Sequence, residues 1–308
     1  MIRTRDVVCD LCGSNNRKFL FNARDRLYGF EGTFSYVRCT ECGLVYMNPQ
    51  ISLGDIGKFY PDDYGPHQVE SEKKRSHKRP LITKFKKNPF AACVFCKLTR
   101  ESQLLDVGCG SGKFLNEIRI ATGCQVYGVD TSKVAAGTAK ENYSLEIFTG
   151  MLTEVPFPDN HFDVITARSY LEHVNNPSEV MLKLFRLLKQ GGDLVIITPN
   201  FDSLNSKMFK DKWYALDCPR HLYIYSAKTI TKLLEKSGLS VQKIKYDKSS
   251  KGFLGSLQYY FHGDNYNPEH RNRIRRSPLL KKVVSPWTRV AALIKQSDIM
   301  IVHAKKAS

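Results

Sequence analysis

Four cysteines near the start of the chain are spaced for metal chemistry: Cys9-x-x-Cys12-Gly13 and Cys39-x-x-Cys42-Gly43. Each pair offers two thiolates from one tight turn, and the following glycine lets the backbone fold under the sulfurs. Two such knuckles suit tetrahedral zinc, and with no fifth ligand a site formed by Cys9, Cys12, Cys39 and Cys42 is expected to be structural. Cys93-x-x-Cys96 repeats the spacing without a partner pair and encloses Val94 and Phe95, so it reads as ordinary packing. Cys109, Cys124 and Cys218 read as non-ligands.

A second chemical feature is Leu104-Leu105-Asp106-Val107-Gly108-Cys109-Gly110-Ser111-Gly112: an apolar run, an acid, and a Gly-x-Gly-x-Gly turn opening a helix. Side chains at those glycines would keep a ligand away from the backbone. The spacing departs from the Gly-x-Gly-x-x-Gly dinucleotide fingerprint, and Asp106 stands two residues before Gly108. A pyrophosphate wants amide donors without a neighbouring carboxylate, whereas S-adenosylmethionine carries an ammonium and a sulfonium that an acid tolerates or attracts. Twenty-two residues after Gly108, Asp130 closes Tyr127-Gly128-Val129-Asp130 and supplies a carboxylate where a ribose diol would lie.

Positioning these groups takes alternating strands and helices. Strands are expected at Leu104 to Val107, Gln125 to Val129, Glu146 to Phe148, Phe162 to Ala167 and Leu194 to Thr198. Helices are expected at Lys113 to Ala121, Ser132 to Asn142, Pro177 to Lys189 and Ala227 to Ser237, with Ser226 as an N-cap. Such alternation demands a mostly parallel sheet covered on both faces, an α/β fold. The first sixty residues read as a compact strand-and-turn unit with too little core to fold without a staple. The expected organisation is a zinc-ribbon-like module over residues 1–64, a basic linker over 65–89, and a catalytic domain over 90–308 that opens with an amphipathic helix from Phe90 to Leu98.

A basic helical insertion is expected at about 254–295. Within it, Leu280, Val283, Val284, Trp287, Val290, Ala291 and Ile294 recur at helical spacing beside Arg271, Arg273, Arg275, Arg276, Lys281 and Lys282. Pro286 is expected to split it into two helices. Its apolar face either packs on the catalytic domain or meets an anionic membrane surface.

The 308 residues, 42% of them hydrophobic, suffice for one α/β core and a small accessory unit. No run of eighteen uncharged apolar residues occurs, and the first ten residues hold charges and a cysteine in place of a signal-peptide core. A cytoplasmic protein, peripheral to a membrane if the insertion docks there, is expected. The nine cysteines, with their tight pairs, favour metal over a disulfide framework. A net charge of +17 raises nucleic acid, an anionic membrane surface and an acidic substrate as partners, although basic runs such as Lys73 to Lys87 also suit solvated linkers.

Leu104 to Phe114, Asp130, Val155-Pro156-Phe157-Pro158-Asp159 before Phe162-Asp163, and Leu171-Glu172-His173-Val174 together resemble the class I S-adenosylmethionine-dependent methyltransferases. More narrowly, the chain is similar to a bacterial and archaeal branch with prefixed Cys-x-x-Cys-Gly pairs and many members linked to sugar or surface-polysaccharide modification. The likeness extends through Phe59-Tyr60-Pro61 with Tyr64, and Pro219-Arg220-His221-Leu222-Tyr223, to a final strand near Met300 to His303. It implies a Rossmann-like fold with a seven-stranded sheet. It also implies that Asp106 and the Gly108, Cys109, Gly110 and Gly112 turn bind the methionine part, Asp130 the ribose, and Met151 and Leu152 the adenine. Arg168 and Ser169 would stand at the methyl-donor side, and His173 and His221 on the acceptor side.

Methyl transfer is an in-line displacement, so aligning acceptor, methyl and sulfur is most of the task, and a hydroxyl acceptor must also lose a proton. His221 is the first candidate for the base, with Arg220 orienting the substrate and His173 the alternative; either histidine could instead be a packed or capping residue. Tyr60, Tyr64, Trp213 and Tyr214 could line the pocket or belong to the core. The expected reaction is O-methylation of a sugar or glycan-like small molecule. An RNA methyltransferase, or a non-catalytic module that keeps the cofactor fold, are the alternatives.

Overall fold

A computed structural model of the chain describes residues 2–61, 64, 98–263 and 273–307. The expected linker, the helix from Phe90 as far as residue 97, the Cys93 and Cys96 pair and Arg271 lie outside the described residues. The first half of the fold contributes β1 (Thr4–Arg5), β2 (Arg17–Ala23), β3 (Phe34–Cys39), β4 (Val45–Met47) and β5 (Gln50–Ile51). After them come β6 (Gln103–Val107), β7 (Gln125–Asp130), β8 (Ile147–Thr149), β9 (Phe162–Arg168), β10 (Leu188–Pro199), β11 (Tyr223–Ile224), β12 (Leu239–Tyr246) and β13 (Ile299–Lys306).

Seven of these form one sheet in the order β12-β13-β10-β9-β6-β7-β8. The β10, β9, β6, β7 and β8 neighbours pair parallel, while β13 runs antiparallel to both β10 and β12. Its central strands are apolar on both faces because both are covered: helix Lys113–Thr122 sinks Phe114, Leu115 and Ile118 into one core with Leu104, while Leu105 and Val107 belong to the core on the other side. Ser132 caps helix Lys133–Tyr143 through the Ala135 amide, and Ser226 caps helix Ala227–Lys236 through Thr229. The helix expected through Lys189 ends at Leu187, and the chain enters β10 at once, with the register broken between Leu188 and Asp193 around Gly191 and Gly192.

The cysteine-bearing unit is not a separate body. Its four-stranded sheet runs β11-β4-β3-β2, and β11 (Tyr223–Ile224) comes more than 170 residues after β4 (Val45–Met47) in the chain, with Tyr223 opposite Tyr46 and Ile224 opposite Val45. One apolar core runs from Cys9, Tyr36 and Met47 through Leu105 and Met181 to Met300. A boundary at residue 64 therefore marks a change of topology and not an end of packing.

Pro286 does not split the insertion: helix Pro278–Leu293 is continuous through it. The break falls at Ser277, which accepts the Leu280 amide and is followed by Pro278 at the first helical position, where a missing N–H is harmless. Thr288 docks this helix by donating its hydroxyl to the Lys248 carbonyl, so one lost hydrogen bond at Pro286 is offset by tertiary contact.

Candidate active site

The carboxyl ends of β6, β7, β8 and β9 converge, as the ligand-binding edge of an open α/β sheet must. The amides of Gly108 and Cys109 both donate to the Val129 carbonyl, which draws the glycine turn over the end of β7. Gly108 has φ +68°, and a Cβ there would stand 2.8 Å from the Tyr170 ring. Gly112, φ +71°, opens the helix against Ala139, where a Cβ would meet its methyl at 3.0 Å. Glycine is therefore required at both, and the backbone at Gly108 is bare enough for a ligand to approach. Cys109 turns inward and is 5% exposed, so it offers a ligand only its backbone.

Asp106, expected to meet the methionine ammonium, is wholly buried beneath the turn. It accepts from the Thr166 hydroxyl at 2.6 Å and from Arg168 Nη2 at 3.2 Å. Its carboxylate therefore acts through Arg168, whose guanidinium lies 3.9 Å over the Phe114 ring. Ser169 is exposed just beyond β9, with φ +49° and its amide donated to Ile197. Asp130 accepts from Gly110 at 2.8 Å through one oxygen and from Ser132 at 2.9 Å through the other, so it pins the turn while keeping lone pairs for a diol. Beyond β8, Met151 is exposed, Leu152 is buried, and Glu154 accepts the Met151 amide at 2.7 Å.

On the acceptor side, His173 and His221 lie edge to face with centroids 4.6 Å apart. His173 Nδ1 is 3.0 Å from both the Arg220 carbonyl and the Tyr60 hydroxyl, and His221 Nδ1 is 3.0 Å from the Ala215 carbonyl. Glu172 is buried with one oxygen accepting from Thr198 at 3.0 Å and the other, Oε1, without a hydrogen-bond partner, 4.0 Å from His221 Nε2. Burial pushes the Glu172 carboxyl up to about 8. Burial, aided by the His221 ring, holds His173 down to about 3, and burial also lowers His221. Both imidazoles are thus neutral at neutral pH. At Asp217 burial is outweighed chiefly by the Arg220 guanidinium, which holds the carboxyl down to about 2.

Arg220 does not face a substrate. It is fully buried, with its two terminal nitrogens on Asp25 at 2.8 and 2.9 Å, Nε on Asp217 at 3.1 Å and a further contact to the Phe59 carbonyl. All its donors are engaged, so the expected orienting role gives way to a structural one: it ties the cysteine unit to the segment carrying His221. Trp213 is likewise core, donating its indole N–H to buried Asp298 at 2.6 Å. Tyr60 and Tyr64 pack edge to face, and Tyr60 lies against His173.

The four cysteine sulfurs lie within 4.8 Å of one another, with Cys9 to Cys42 at 3.4 Å and Cys12 to Cys39 at 3.5 Å. Those distances are far beyond a disulfide bond and close to the ~3.8 Å edge of a tetrahedron with Zn–S bonds of about 2.3 Å. Burial raises the Cys39 thiol, but the Cys42 and Glu41 amides donating to it win and bring it down to about 7. A four-thiol set stabilised by turn amides fits zinc, with all four positions filled by protein and none open for chemistry.

Residues 77–244, more than half of the chain, match the family described as methyltransferase domain. The chain belongs to that family. It is 30% identical over 162 residues to demethylmenaquinone methyltransferase of Bacillus licheniformis, covering 44% of this chain and 69% of that protein. It is 35% identical over 109 residues to ubiquinone biosynthesis O-methyltransferase of Nitrosomonas europaea, covering 32% of this chain and 45% of that protein. Across five curated relatives the chain spans between 37% and 69% of their own length. Among solved structures, a SAM dependent methyltransferase from Archaeoglobus fulgidus superposes with TM-score 0.50 at 19% identity, over 74% of this chain and 95% of that one, a likeness of fold.

The methyltransferase domain thus brings the glycine turn to Asp130 and His173 to His221, with Asp106 buried against Arg168 and Arg220 buried against Asp25 and Asp217. Sequence reasoning missed Asp25, which lies far from Arg220 along the chain, and gave no role to Tyr170, Asp217 or Glu172. For Glu172 a signal existed: an acid directly before His173 in the short turn that follows an apolar strand.

Proposed function

We propose that this methyltransferase transfers the methyl group of S-adenosylmethionine to a hydroxyl oxygen of a sugar or glycan-like small molecule. The observation that carries the reading is the pair of buried neutral imidazoles, His173 and His221, packed edge to face. Each Nδ1 meets a backbone carbonyl, which can only accept, so each Nδ1 carries the hydrogen and each Nε2 a lone pair. Bound S-adenosylmethionine supplies an electrophilic methyl carbon. The protein's part is to align the acceptor and accept its proton, His221 Nε2 being the first candidate. Formation of S-adenosylhomocysteine with glycosides or nucleotide sugars is the test. Turnover with structured RNA alone would replace this reading by the RNA one, and cofactor binding without turnover on any acceptor would favour a binding module.

Asp130→Ala is expected to weaken S-adenosylmethionine binding by about 1–3 kcal/mol, the range for a lost charged hydrogen bond to a buried partner. The upper end is expected because the same carboxylate holds the Gly110 and Ser132 amides. Calorimetry on wild type and variant measures it, and equal affinities would remove Asp130 from the ribose site.

The acceptor is proposed to be carried on a lipid at an anionic membrane surface. Among the described residues no helix is long and apolar enough to cross a membrane. Helix Pro278–Leu293 nevertheless exposes Leu279, Val283 and Val290, with Leu293 77% exposed at its end, beside Lys281, Lys282 and Arg289. Cosedimentation with anionic vesicles is expected, weakening about fivefold for each of Lys281→Gln and Lys282→Gln. Equal sedimentation with neutral vesicles, or none with either, would leave this face without a lipid role.

A further inference from the structure

We infer that Glu172, His173 and His221 form a second metal site, separate from the cysteine set, that takes a divalent first-row transition ion on the acceptor side. The three residues bring one ligand atom each within 4.8 Å of one another. Both imidazoles are prepared as metal-binding histidines are, with Nδ1–H donated to a fixed backbone carbonyl, Arg220 for His173 and Ala215 for His221. That arrangement locks the tautomer and aims lone-pair character at Nε2. Glu172 Oε1 is the independent sign of a missing partner: it belongs to a fully buried side chain and has no hydrogen bond, although the other oxygen of the same carboxyl does.

The distances discriminate between a hydrogen bond and a gap for an ion. His221 Nε2 and Glu172 Oε1 stand 4.0 Å apart, too far to share a proton and about 0.6 Å wider than the ~3.4 Å edge of a tetrahedron with bonds of ~2.1 Å, so the two side chains need only close slightly around an ion. Asp217 Oδ2, 3.9 Å from the same nitrogen, is the nearest other carboxylate, but its side chain is held by Arg220. A buried acceptor left unsatisfied is destabilising, and one cation would satisfy Glu172 Oε1 together with His221 Nε2 and a ring nitrogen of His173. Two imidazoles and one carboxylate suit manganese, iron, cobalt or zinc better than an all-oxygen ion such as calcium, and three protein ligands leave positions for an acceptor.

The site deepens the hydroxyl reading and rests on it for its role, though not for its existence. An acceptor hydroxyl held by the ion is more acidic. Its proton leaves to water, the oxygen's electron pair forms the new bond to the methyl carbon, and the methyl–sulfur bond breaks to leave a neutral thioether. His221 then serves as ligand in place of base.

The test is titration of manganese(II) into the full chain with its cysteine set already zinc-loaded, following free manganese by electron paramagnetic resonance. Manganese is a poor ion for thiolates and does not displace that zinc. One equivalent is expected to bind, with Glu172→Gln and His221→Gln each weakening it tenfold or more. Because both side chains are buried, the melting temperature is read with and without manganese: the ion should raise it in wild type and not in the variants. Wild type that binds no manganese, or variants that bind it as well as wild type, would overturn the site. Neither result touches the hydroxyl reading, which fails separately if no hydroxyl acceptor yields S-adenosylhomocysteine with or without the ion.

Discussion

Cys39→Ser is expected to lose zinc, lower the melting temperature and cut turnover together, while affinity for S-adenosylmethionine stays close to wild type. Cys39 ends β3, and on the same strand Tyr36 donates its hydroxyl to the His221 carbonyl at 2.8 Å. The next strand, β4, ends with the Met47 amide donated to the Leu222 carbonyl and pairs along β11 immediately after His221. The segment that carries His221 thus hangs on a sheet whose cysteine turns bring four thiols to one point, where a zinc ion would hold them. Losing one of four thiolates should cost about 3 kcal/mol of the site's binding energy, a drop of roughly 6–12 °C for a domain of this size. The glycine turn and Asp130 are built on β6 and β7, away from that sheet, so cofactor affinity should survive. Metal analysis, a melting curve and calorimetry on one preparation check all three. Full zinc content with an unchanged melting curve would remove Cys39 from the ligand set.

What could be seen in advance followed from locality. The glycine turn, Asp130 and the two cysteine pairs declare themselves within a few residues, because backbone conformation and ligand spacing are local demands. The alternation of apolar strands with amphipathic helices likewise gave the parallel sheet. Contacts between distant segments had no such signature. The pairing of β11 with β4 joins Tyr223 to Tyr46, and two residues of strand are too short to show periodicity. Arg220 looked like a substrate ligand because a conspicuous arginine beside a histidine suits one; only the fold brings Asp25 to it across the core. Asp106 was correctly placed at the end of its strand, but a side chain's direction off that strand depends on Thr166 and Arg168 of the neighbouring one. Pro286 misled for the opposite reason: a local rule was applied where docking by Thr288 outweighs it, while the true boundary signal, Ser277-Pro278, stood nine residues earlier.

His221→Ala is expected to lower turnover about a hundredfold or more with cofactor affinity nearly unchanged, as for a group that acts on the acceptor and not on the donor. Two features make this a clean measurement. The backbone at position 221 is held independently of the imidazole, by Tyr36 on its carbonyl and Asp217 on its amide, so alanine leaves the chain path in place. The cofactor edge is reached from Gly108, Asp130 and Arg168, none of which hydrogen-bonds to His221. The loss should therefore fall on kcat. His173→Ala is the control, since that ring meets Tyr60 and the Arg220 carbonyl and is held down to about 3 by burial. A free base that weak accepts a proton poorly at neutral pH, so as a base His173 should matter little; as a ligand it should matter as much as His221. Equal losses at both histidines, restored in neither by raising the pH, would point to an ion held between them. A much larger loss at His173 would exchange the roles of the two rings, and full activity in both variants would mean that alignment of acceptor and methyl carries the reaction without either.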